Sequence, residues 1–200
     1  MAGIVEFWFD FSSPYGYFAS HFVGQVAATA ARSAVWKPFM LGSVFKETGA
    51  RPLLEVPLKG PYCVRDWERL GRFHKVPWVL PKRFPIAALA AARAFYWLDG
   101  QDPGVAKAFA REVFSTYFGK GIDVSPAEVV ADIAEGLDVD RAAVLAAIEA
   151  PQWKQRLKAA GDEAVTRGVC GSPFFIVDGE GFWGSDRLGM VAEWLERGGW

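Results

Sequence analysis

Two adjacent hydroxyls and a proline stand between an apolar run and a segment of helical character. The residues after the run at 4–9 read Asp10-Phe11-Ser12-Ser13-Pro14-Tyr15. Proline is tolerated in the first turn of a helix and serine is a preferred N-cap, so a helix is predicted from Pro14. The free N–H groups of such a helix end, together with a hydroxyl, can stabilise a thiolate. Capping alone also explains Ser12 and Ser13, so both interpretations stay open here.

Two segments near the C-terminus carry polar groups of a related kind. Gly171-Ser172-Pro173-Phe174 places a proline at the start of an apolar run, and Trp183-Gly184-Ser185-Asp186-Arg187 precedes the last helical segment. N–H groups at a helix start suit a carboxylate, and an aspartate can accept hydrogen bonds from an ammonium group. A plain helix cap, with Arg187 as a solvated surface charge, is the alternative.

Two other kinds of side chain are candidates for a binding site. Lys46 supplies a cation that a carboxylate substrate would need, although lysine is mostly a surface residue. Tyr15 and Trp183 can line an aromatic pocket, but aromatic residues at such spacings more often belong to the core.

The cysteines and histidines of the chain predict neither a redox pair nor a metal site. Cys63 and Cys170 are far apart and are interpreted as structural thiols, since free cysteine is commonly buried and inert. Together with His21 and His74 they provide no metal-ligand spacing, and no metal is expected.

Composition indicates a folded protein and excludes some partners. The chain has 200 residues, 52% of them hydrophobic, with nine Trp and sixteen Phe, which is ample material for the core of one large domain. A net charge of −1 provides no field for nucleic acid or an anionic membrane. The run at 86–98 carries Arg93 and is too short to span a bilayer. Residues 1–6 lack a basic leader, so cytoplasmic residence is expected.

Apolar periodicity, caps and turn residues predict the order β-α-β, a helical block, then β-β-α. Strands are predicted at residues 4–9, 34–40, 173–177 and 182–183. Helices are predicted at residues 14–32, 62–73, 85–98, 103–118, 126–135, 140–149, 152–167 and from 185 to about 197. Residues 41–60 are predicted to form a loop. The first strand shows little alternation, which suits a strand buried on both faces.

This order resembles the thioredoxin fold, and the helical block between its halves resembles the DsbA-like branch. Within that branch, the stretches at 7–19, 44–49, 65–70 and 168–188 resemble the 2-hydroxychromene-2-carboxylate isomerases, glutathione-dependent enzymes related to kappa-class glutathione transferases. The resemblance implies an α/β protein with a thioredoxin-like βαβ…ββα sheet and a large all-helical insertion. Residues 1–59 and 168–200 would form the thioredoxin-like domain and residues 60–167 the insertion. A homodimer is implied as well.

The resemblance also implies a role for each candidate residue. Ser13 would be catalytic and contact the sulfur of bound glutathione, while the backbone of Ser172, before a cis Pro173, would bind its cysteinyl part. The remaining glutathione contacts would come from Trp183, Gly184, Ser185 and Asp186. The small aromatic carboxylate substrate would meet Lys46, Phe84 and Tyr15. Many family members have Asn where this chain has Ala50, and some have a hydroxyl where it has Phe84.

The implied activity is a glutathione-dependent cis–trans isomerisation of an aromatic-catabolism intermediate such as 2-hydroxychromene-2-carboxylate, by reversible thiolate addition. Two alternatives stay open: a kappa-type glutathione transferase or peroxidase, and a non-catalytic thiol- or peptide-binding module. Dithiol redox chemistry is excluded at the junction, because Ser12-Ser13-Pro14-Tyr15 stands where redox relatives carry CxxC and a hydroxyl forms no disulfide.

Overall fold

A four-stranded mixed sheet forms the centre of the protein. The computed structural model describes residues 3–200; Met1 and Ala2, which belong to the N-terminal segment discussed above, lie outside them. The strands are β1 (Ile4–Phe9), β2 (Ser33–Pro38), β3 (Phe174–Val177) and β4 (Glu180–Trp183). Their order is β2-β1-β3-β4, with β1 parallel to β2 and antiparallel to β3, and β3 antiparallel to β4. The predicted βαβ…ββα thioredoxin-like sheet is confirmed.

Helices surround this sheet and fill the interval between β2 and β3. They are α1 (Pro14–Ser20), α2 (Val23–Thr29), α3 (Leu41–Thr48), α4 (Lys59–His74), α5 (Leu89–Asp99), α6 (Pro103–Phe114), α7 (Ala127–Glu135), α8 (Arg141–Glu149), α9 (Pro151–Thr166) and α10 (Leu188–Arg197). Short helical turns lie at Leu53–Glu55, Ser115–Gly119 and Ser185–Arg187. Within residues 3–200, every helix is too short or too polar to cross a membrane.

The prediction of a loop over residues 41–60 was wrong, because α3 occupies its first part. Val44 of α3 is buried against the sheet beside Trp8 and Phe39, and the helix ends at Gly49 with φ +69°, a left-handed conformation that suits glycine. The start of α3 carries no local signal, since Met40 at its N-cap makes no side-chain capping bond. The sequence therefore showed the end of this helix but not its beginning.

The first predicted helix is also divided, into α1 and α2. The Ser20 hydroxyl donates to the backbone oxygen of Tyr17 at 2.6 Å, and a hydroxyl that bonds back to its own helix competes with the regular ladder. His21 and Phe22 then form tight turns, with backbone N–H groups donating to Phe18 and Ala19. The chain changes direction there and reaches β2 by a second short helix.

One hydrophobic core joins the sheet to the helical block. Phe9 of β1 packs on Phe114 of α6 at a ring-centroid distance of 5.4 Å and on Phe95 of α5 at 6.1 Å. On the opposite face, Trp8 packs against Phe39. Both faces of β1 are thus covered, as its unalternated sequence predicts. The division at residues 60 and 167 stays a prediction, and the core crosses it.

Replacement of Phe114 tests this shared core. Phe114→Ala removes a fully buried ring that touches both Phe9 and Phe11, so it should lower the free energy of unfolding by about 3–5 kcal/mol. Denaturant unfolding followed by far-ultraviolet circular dichroism and by tryptophan fluorescence should still give one coincident transition. Two separated transitions, with only the helical signal shifted, would contradict a shared core.

Candidate active site

Ser13 lies at the N-cap of α1, directly against the loop that enters β3. Trp8 pairs with Phe174 across β1 and β3, so the chain that leaves β1 meets the chain that arrives at β3. The Ser13 hydroxyl donates to the backbone oxygen of Ser172 at 2.9 Å and accepts from the N–H of Gly16 at 3.1 Å. Ser13, not Ser12, is therefore the cap, and the hydroxyl lies where two distant segments touch.

Glycine at position 16 permits this close approach. A Cβ there would lie 3.2 Å from the Cβ of Ser13 and 3.3 Å from the Oγ of Ser172, which is tighter than most real contacts. Because Gly16 leaves that space open, the first turn of α1 packs directly on the loop at Ser172. The Ser13 hydroxyl therefore lies directly against the loop before β3 and is hydrogen-bonded to it.

The loop before β3 has the cis geometry that the resemblance implied. The Ser172–Pro173 peptide bond is cis, and the oxygen of Pro173 accepts a hydrogen bond from the N–H of Gly184 at 3.0 Å. The N–H of Ser172 has no acceptor among residues 3–200, and its carbonyl oxygen keeps a second lone pair beside the bond from Ser13. One donor and one acceptor are thus available to an extended peptide-like ligand.

The segment after β4 closes one end of this region but does not cap α10. Gly184 has φ +113°, and the Asp186 carboxylate lies close above it, where a Cβ would be 2.5 Å from Oδ1. Ser185 begins a short helical turn, and α10 starts only at Leu188 without a side-chain cap, so the prediction that Ser185 and Asp186 cap the last helix was wrong. The Asp186 side chain is 72% exposed and faces solvent beside Arg187.

Trp183 covers the opposite side of the loop. It ends β4 with 60% of its surface exposed, and its indole lies over Gly171, where a Cβ would meet Nε1 at 2.3 Å. Such an exposed aromatic ring beside the strand-entry loop is available to a ligand. The predicted binding set of Ser13, Ser172, Pro173 and residues 183–186 is brought together by the fold.

Asp10 makes contacts across the junction that its place at the end of β1 did not predict. Its carboxylate is buried and accepts hydrogen bonds from the N–H groups of Ser12 and Leu41, both at 2.8 Å. The backbone N–H of Asp10 donates to the Ser172 hydroxyl at 2.9 Å, and the backbone oxygen of Asp10 accepts from the N–H of Ser13 at 2.9 Å. Burial raises the pKa of Asp10 to about 6, while the two backbone donors oppose that rise.

Ser12 connects the junction to the segment before α5. Its hydroxyl accepts from the N–H of Ile86 at 3.0 Å. The helix predicted from Pro85 begins only at Leu89, as α5. The phenol of Tyr117 donates to the oxygen of Arg83 at 2.8 Å and holds the other end of that segment. The chain at 83–86 is thereby fastened beside the start of α1.

Tyr15 and Phe84 belong to an aromatic wall that continues from α1 into α4. The Tyr15 phenol donates to Asp66 Oδ2 at 2.9 Å, and burial, followed by this hydrogen bond, raises the pKa of Tyr15 so that the phenol stays neutral. The rings of Tyr15 and Phe84 pack on Trp67 at centroid distances of 6.0 and 5.6 Å. Trp67 was missed from the sequence, and its buried indole N–H has no hydrogen-bond partner among residues 3–200.

Lys46 lies on α3 and not on a loop. Its side chain is exposed and forms no ion pair with any residue from 3 to 200. It stands five residues beyond Leu41, a rise of about 7.5 Å along the helix. Asp10 holds Leu41, so a hydrogen bond links the helix of Lys46 to the Ser13 junction.

Of the cysteines and histidines, Cys63 lies beside Tyr15, and Cys170 lies two residues before Ser172. Cys63 is buried, as expected of a structural thiol, but Cys170 is exposed, which corrects that interpretation; both are free. Burial raises the pKa of each thiol. His21 packs against Tyr17 and His74 against Phe22, and burial lowers the pKa of both histidines. Among residues 3–200 no group of acids, histidines and cysteines has the arrangement of a metal site.

Comparison with known proteins gives relatives that span nearly the whole chain. A 2-hydroxychromene-2-carboxylate isomerase of Sphingobium xenophagum is 27% identical and covers 98% of this chain and 99% of its own length. Glutathione S-transferase kappa 2 of Caenorhabditis elegans is 27% identical, covering 96% of this chain and 91% of its own. A solved 2-hydroxychromene-2-carboxylate isomerase structure superposes with a TM-score of 0.88 at 26% identity, covering 97% and 95% of the two chains.

The family model for the DSBA-like thioredoxin domain matches residues 4–196, from the first residue of β1 to near the end of α10. That match includes the junction at Ser13, the cis proline loop and the helical block between them. The chain therefore belongs to the DSBA-like thioredoxin domain family, and its relatives within it include 2-hydroxychromene-2-carboxylate isomerases and kappa-class glutathione S-transferases.

Proposed function

We propose that this protein is a glutathione-dependent cis–trans isomerase of a small aromatic carboxylate, of the 2-hydroxychromene-2-carboxylate type. The observation that carries the proposal is the contact between the Ser13 hydroxyl and the backbone oxygen of Ser172 beside a cis proline. This contact places the Ser13 hydroxyl beside the N–H and the oxygen of Ser172, both of which a ligand can use. Full-length similarity to isomerases and to kappa-class transferases supports glutathione as the cofactor.

The residues at the junction fit a thiol-bearing peptide. The free N–H of Ser172 and the second lone pair of its oxygen suit an extended cysteinyl backbone. Asp186, exposed and close to Gly184, suits the ammonium of the γ-glutamyl end, with Ser185 and Trp183 beside it. Glutathione, when bound, supplies a thiolate that adds reversibly to a conjugated double bond and so permits rotation about it.

Ser13 is proposed to keep that sulfur ionised. Its hydroxyl proton is directed at the oxygen of Ser172, and a hydroxyl rotates freely, so the same proton can turn towards an anion placed beside it. A hydrogen bond to a charged acceptor is roughly twice as strong as one between neutral groups. Because the N–H of Gly16 already donates to the Ser13 oxygen, that oxygen stays fixed while its proton is redirected.

Substrate contacts are proposed for three side chains around the junction. Lys46 forms no ion pair with any carboxylate among residues 3–200 and would bind the carboxylate of the substrate. The rings of Tyr15 and Phe84 would cover its aromatic part, and the apolar edge of Phe84 offers no hydroxyl there. The Tyr15 phenol is committed to Asp66, so this tyrosine would contribute its ring and not its proton.

A kappa-type transferase is the second candidate, because the same residues would hold glutathione for irreversible conjugation and relatives of that class are equally similar in identity. A non-catalytic binding module is the third.

Titration of the protein with glutathione by calorimetry, followed by a spectroscopic assay of 2-hydroxychromene-2-carboxylate with and without glutathione, tests the proposal. Binding without any glutathione-dependent turnover would favour the third candidate.

Removal of the Ser13 hydroxyl should impair turnover more than glutathione binding. Ser13→Ala deletes the one side-chain donor assigned to the thiolate, and loss of a comparable donor lowers kcat by about 10²–10³-fold in other enzymes. Ultraviolet absorbance of the bound thiolate should titrate at a higher pH in the variant. Ser20→Ala is the matched control, since its buried hydroxyl lies on α1 and bonds only to Tyr17. Equal turnover by Ser13→Ala and the control would contradict the assignment.

Stoichiometry should separate an isomerase from a transferase. We expect glutathione to be required for conversion of the chromene carboxylate and to be recovered in full, because a reversible addition ends with release of the thiolate. Thiol titration before and after about a hundred turnovers per enzyme measures this directly. Consumption of one glutathione for each substrate converted would replace the isomerase proposal with the transferase.

A further inference from the structure

A single residue, Asp10, connects the three segments that make up the proposed site, two through its carboxylate and one through its backbone N–H. Asp10 accepts from Ser12 in the α1 junction and from Leu41 at the first residue of α3. Its backbone N–H holds the Ser172 hydroxyl in the loop before β3. No other residue from 3 to 200 forms hydrogen bonds with all three of these segments.

We propose that Asp10 is a positioning residue that determines where α3, and with it Lys46, stands relative to Ser13 and Ser172. The inference rests on the proposed function, in which Lys46 binds the substrate carboxylate and Ser13 faces the sulfur. Asp10 touches neither ligand in this scheme. It acts through the backbone N–H of Leu41 and through the turn at Ser12.

The start of α3 depends on Asp10, because the residues next to that start in the sequence provide no side-chain cap. Met40 occupies the N-cap and makes no side-chain bond, so the Asp10 carboxylate, 31 residues away along the chain, satisfies the N–H of Leu41. An anion at this end also interacts favourably with the helix dipole. Two further contacts hold this part of the chain. The N–H of Phe39, just before the helix, donates to the oxygen of Phe9 at 2.9 Å, and Val44 packs beside Trp8 and Phe39.

A carboxylate can accept both side-chain bonds at once, and the amide of asparagine cannot. Each carboxylate oxygen accepts from one N–H group, whereas an asparagine has one accepting oxygen and an NH₂ group that cannot accept. Asp10 is buried, and none of the ion pairs among residues 3–200 includes it. A buried carboxylate without a cation lowers stability, so an uncharged residue would suit the fold alone better.

Kinetics of two variants test the inference, one changing the acceptor side of the Asp10–Leu41 hydrogen bond, where Asn leaves one accepting oxygen for two N–H donors, and one removing its donor. Asp10→Asn removes an acceptor, and Leu41→Pro removes the donor at the first helical position, where proline is favoured and where Met40 already has the extended backbone that precedes proline. Each should raise KM for the aromatic carboxylate about tenfold and leave the Kd for glutathione within about threefold. The double variant should match either single variant, because both remove one shared interaction.

Asp102→Asn is the matched control. Asp102 caps α6 with hydrogen bonds from Gly104 and Val105, far along the chain from the junction, so the same chemical change should leave the kinetics unaltered. If the wild-type protein turns over with glutathione while Asp10→Asn and Leu41→Pro behave like this control, the positioning role is overturned and the proposed function stands. If the wild type shows no glutathione-dependent turnover, the proposed function itself fails.

Hydrogen exchange gives a readout that does not depend on activity. In Asp10→Asn the amides of residues 41–48 should exchange faster, while those of residues 188–197 should be unchanged. Unchanged exchange in α3 would overturn the positioning role even if the enzyme assay failed. This measurement therefore separates a wrong inference about Asp10 from a wrong reaction.

Thermal unfolding distinguishes positioning from a purely structural role. The pKa of Asp10 is raised from 3.8 to about 6 in the folded protein, so its ionisation lowers stability as the pH rises through that window. The Tm of Asp10→Asn relative to the wild type should therefore increase from about pH 4.5 to about pH 8. Tyr117, whose pKa Asp10 helps to raise, stays neutral throughout. A relative Tm that falls over this window would show that Asp10 mainly stabilises the fold.

Discussion

The antiparallel pairing of β1 with β3 is the constraint on which the candidate site depends. It places the end of β1 beside the start of β3, so Ser13 and Ser172, 159 residues apart, share a hydrogen bond of 2.9 Å. A one-residue slip in register would turn every side chain of these strands to the opposite face. The buried rings of Phe7, Phe9 and Phe175 oppose such a slip, because they have to stay in the core that the helical block completes.

The site departs from what stability alone would favour. A buried carboxylate without a cation at Asp10 and a buried indole N–H without a partner among residues 3–200 at Trp67 are each unfavourable in a folded chain. They lie around one junction, where the core rings nearby are well packed. Such local departures commonly mark positions that serve binding or chemistry, and here they surround a hydroxyl in place of a reactive thiol.

Much of the fold was readable from the sequence because its signals are local. Apolar runs, prolines, caps and the turn before β4 led to the order of strands and most helices along the chain, and the resemblance of the motifs at both ends to a known family led to Ser13 and Ser172. The start of α3 was not readable, since its cap comes from Asp10 across space and not from a neighbouring residue. Residues 41–48 were accordingly predicted as a loop.

The same reason explains what was missed in the site. Asp10 looked like an ordinary strand end, and only the approach of α3 to the junction gives its carboxylate a second backbone donor, Leu41, beside the nearby Ser12. Trp67 looked like one aromatic residue among many, and its place beside Tyr15 and Phe84 follows from the packing of α4 on α1. The cap roles expected for Ser185 and Asp186 failed because α10 begins later, at Leu188.

A crystal structure of the protein with bound glutathione tests the central claim most directly. The account predicts the sulfur within hydrogen-bonding distance of the Ser13 hydroxyl, which turns from the oxygen of Ser172, while the cysteinyl backbone pairs with Ser172. Glutathione bound elsewhere, or a Ser13 hydroxyl that stays on Ser172 with no sulfur near it, would contradict the account.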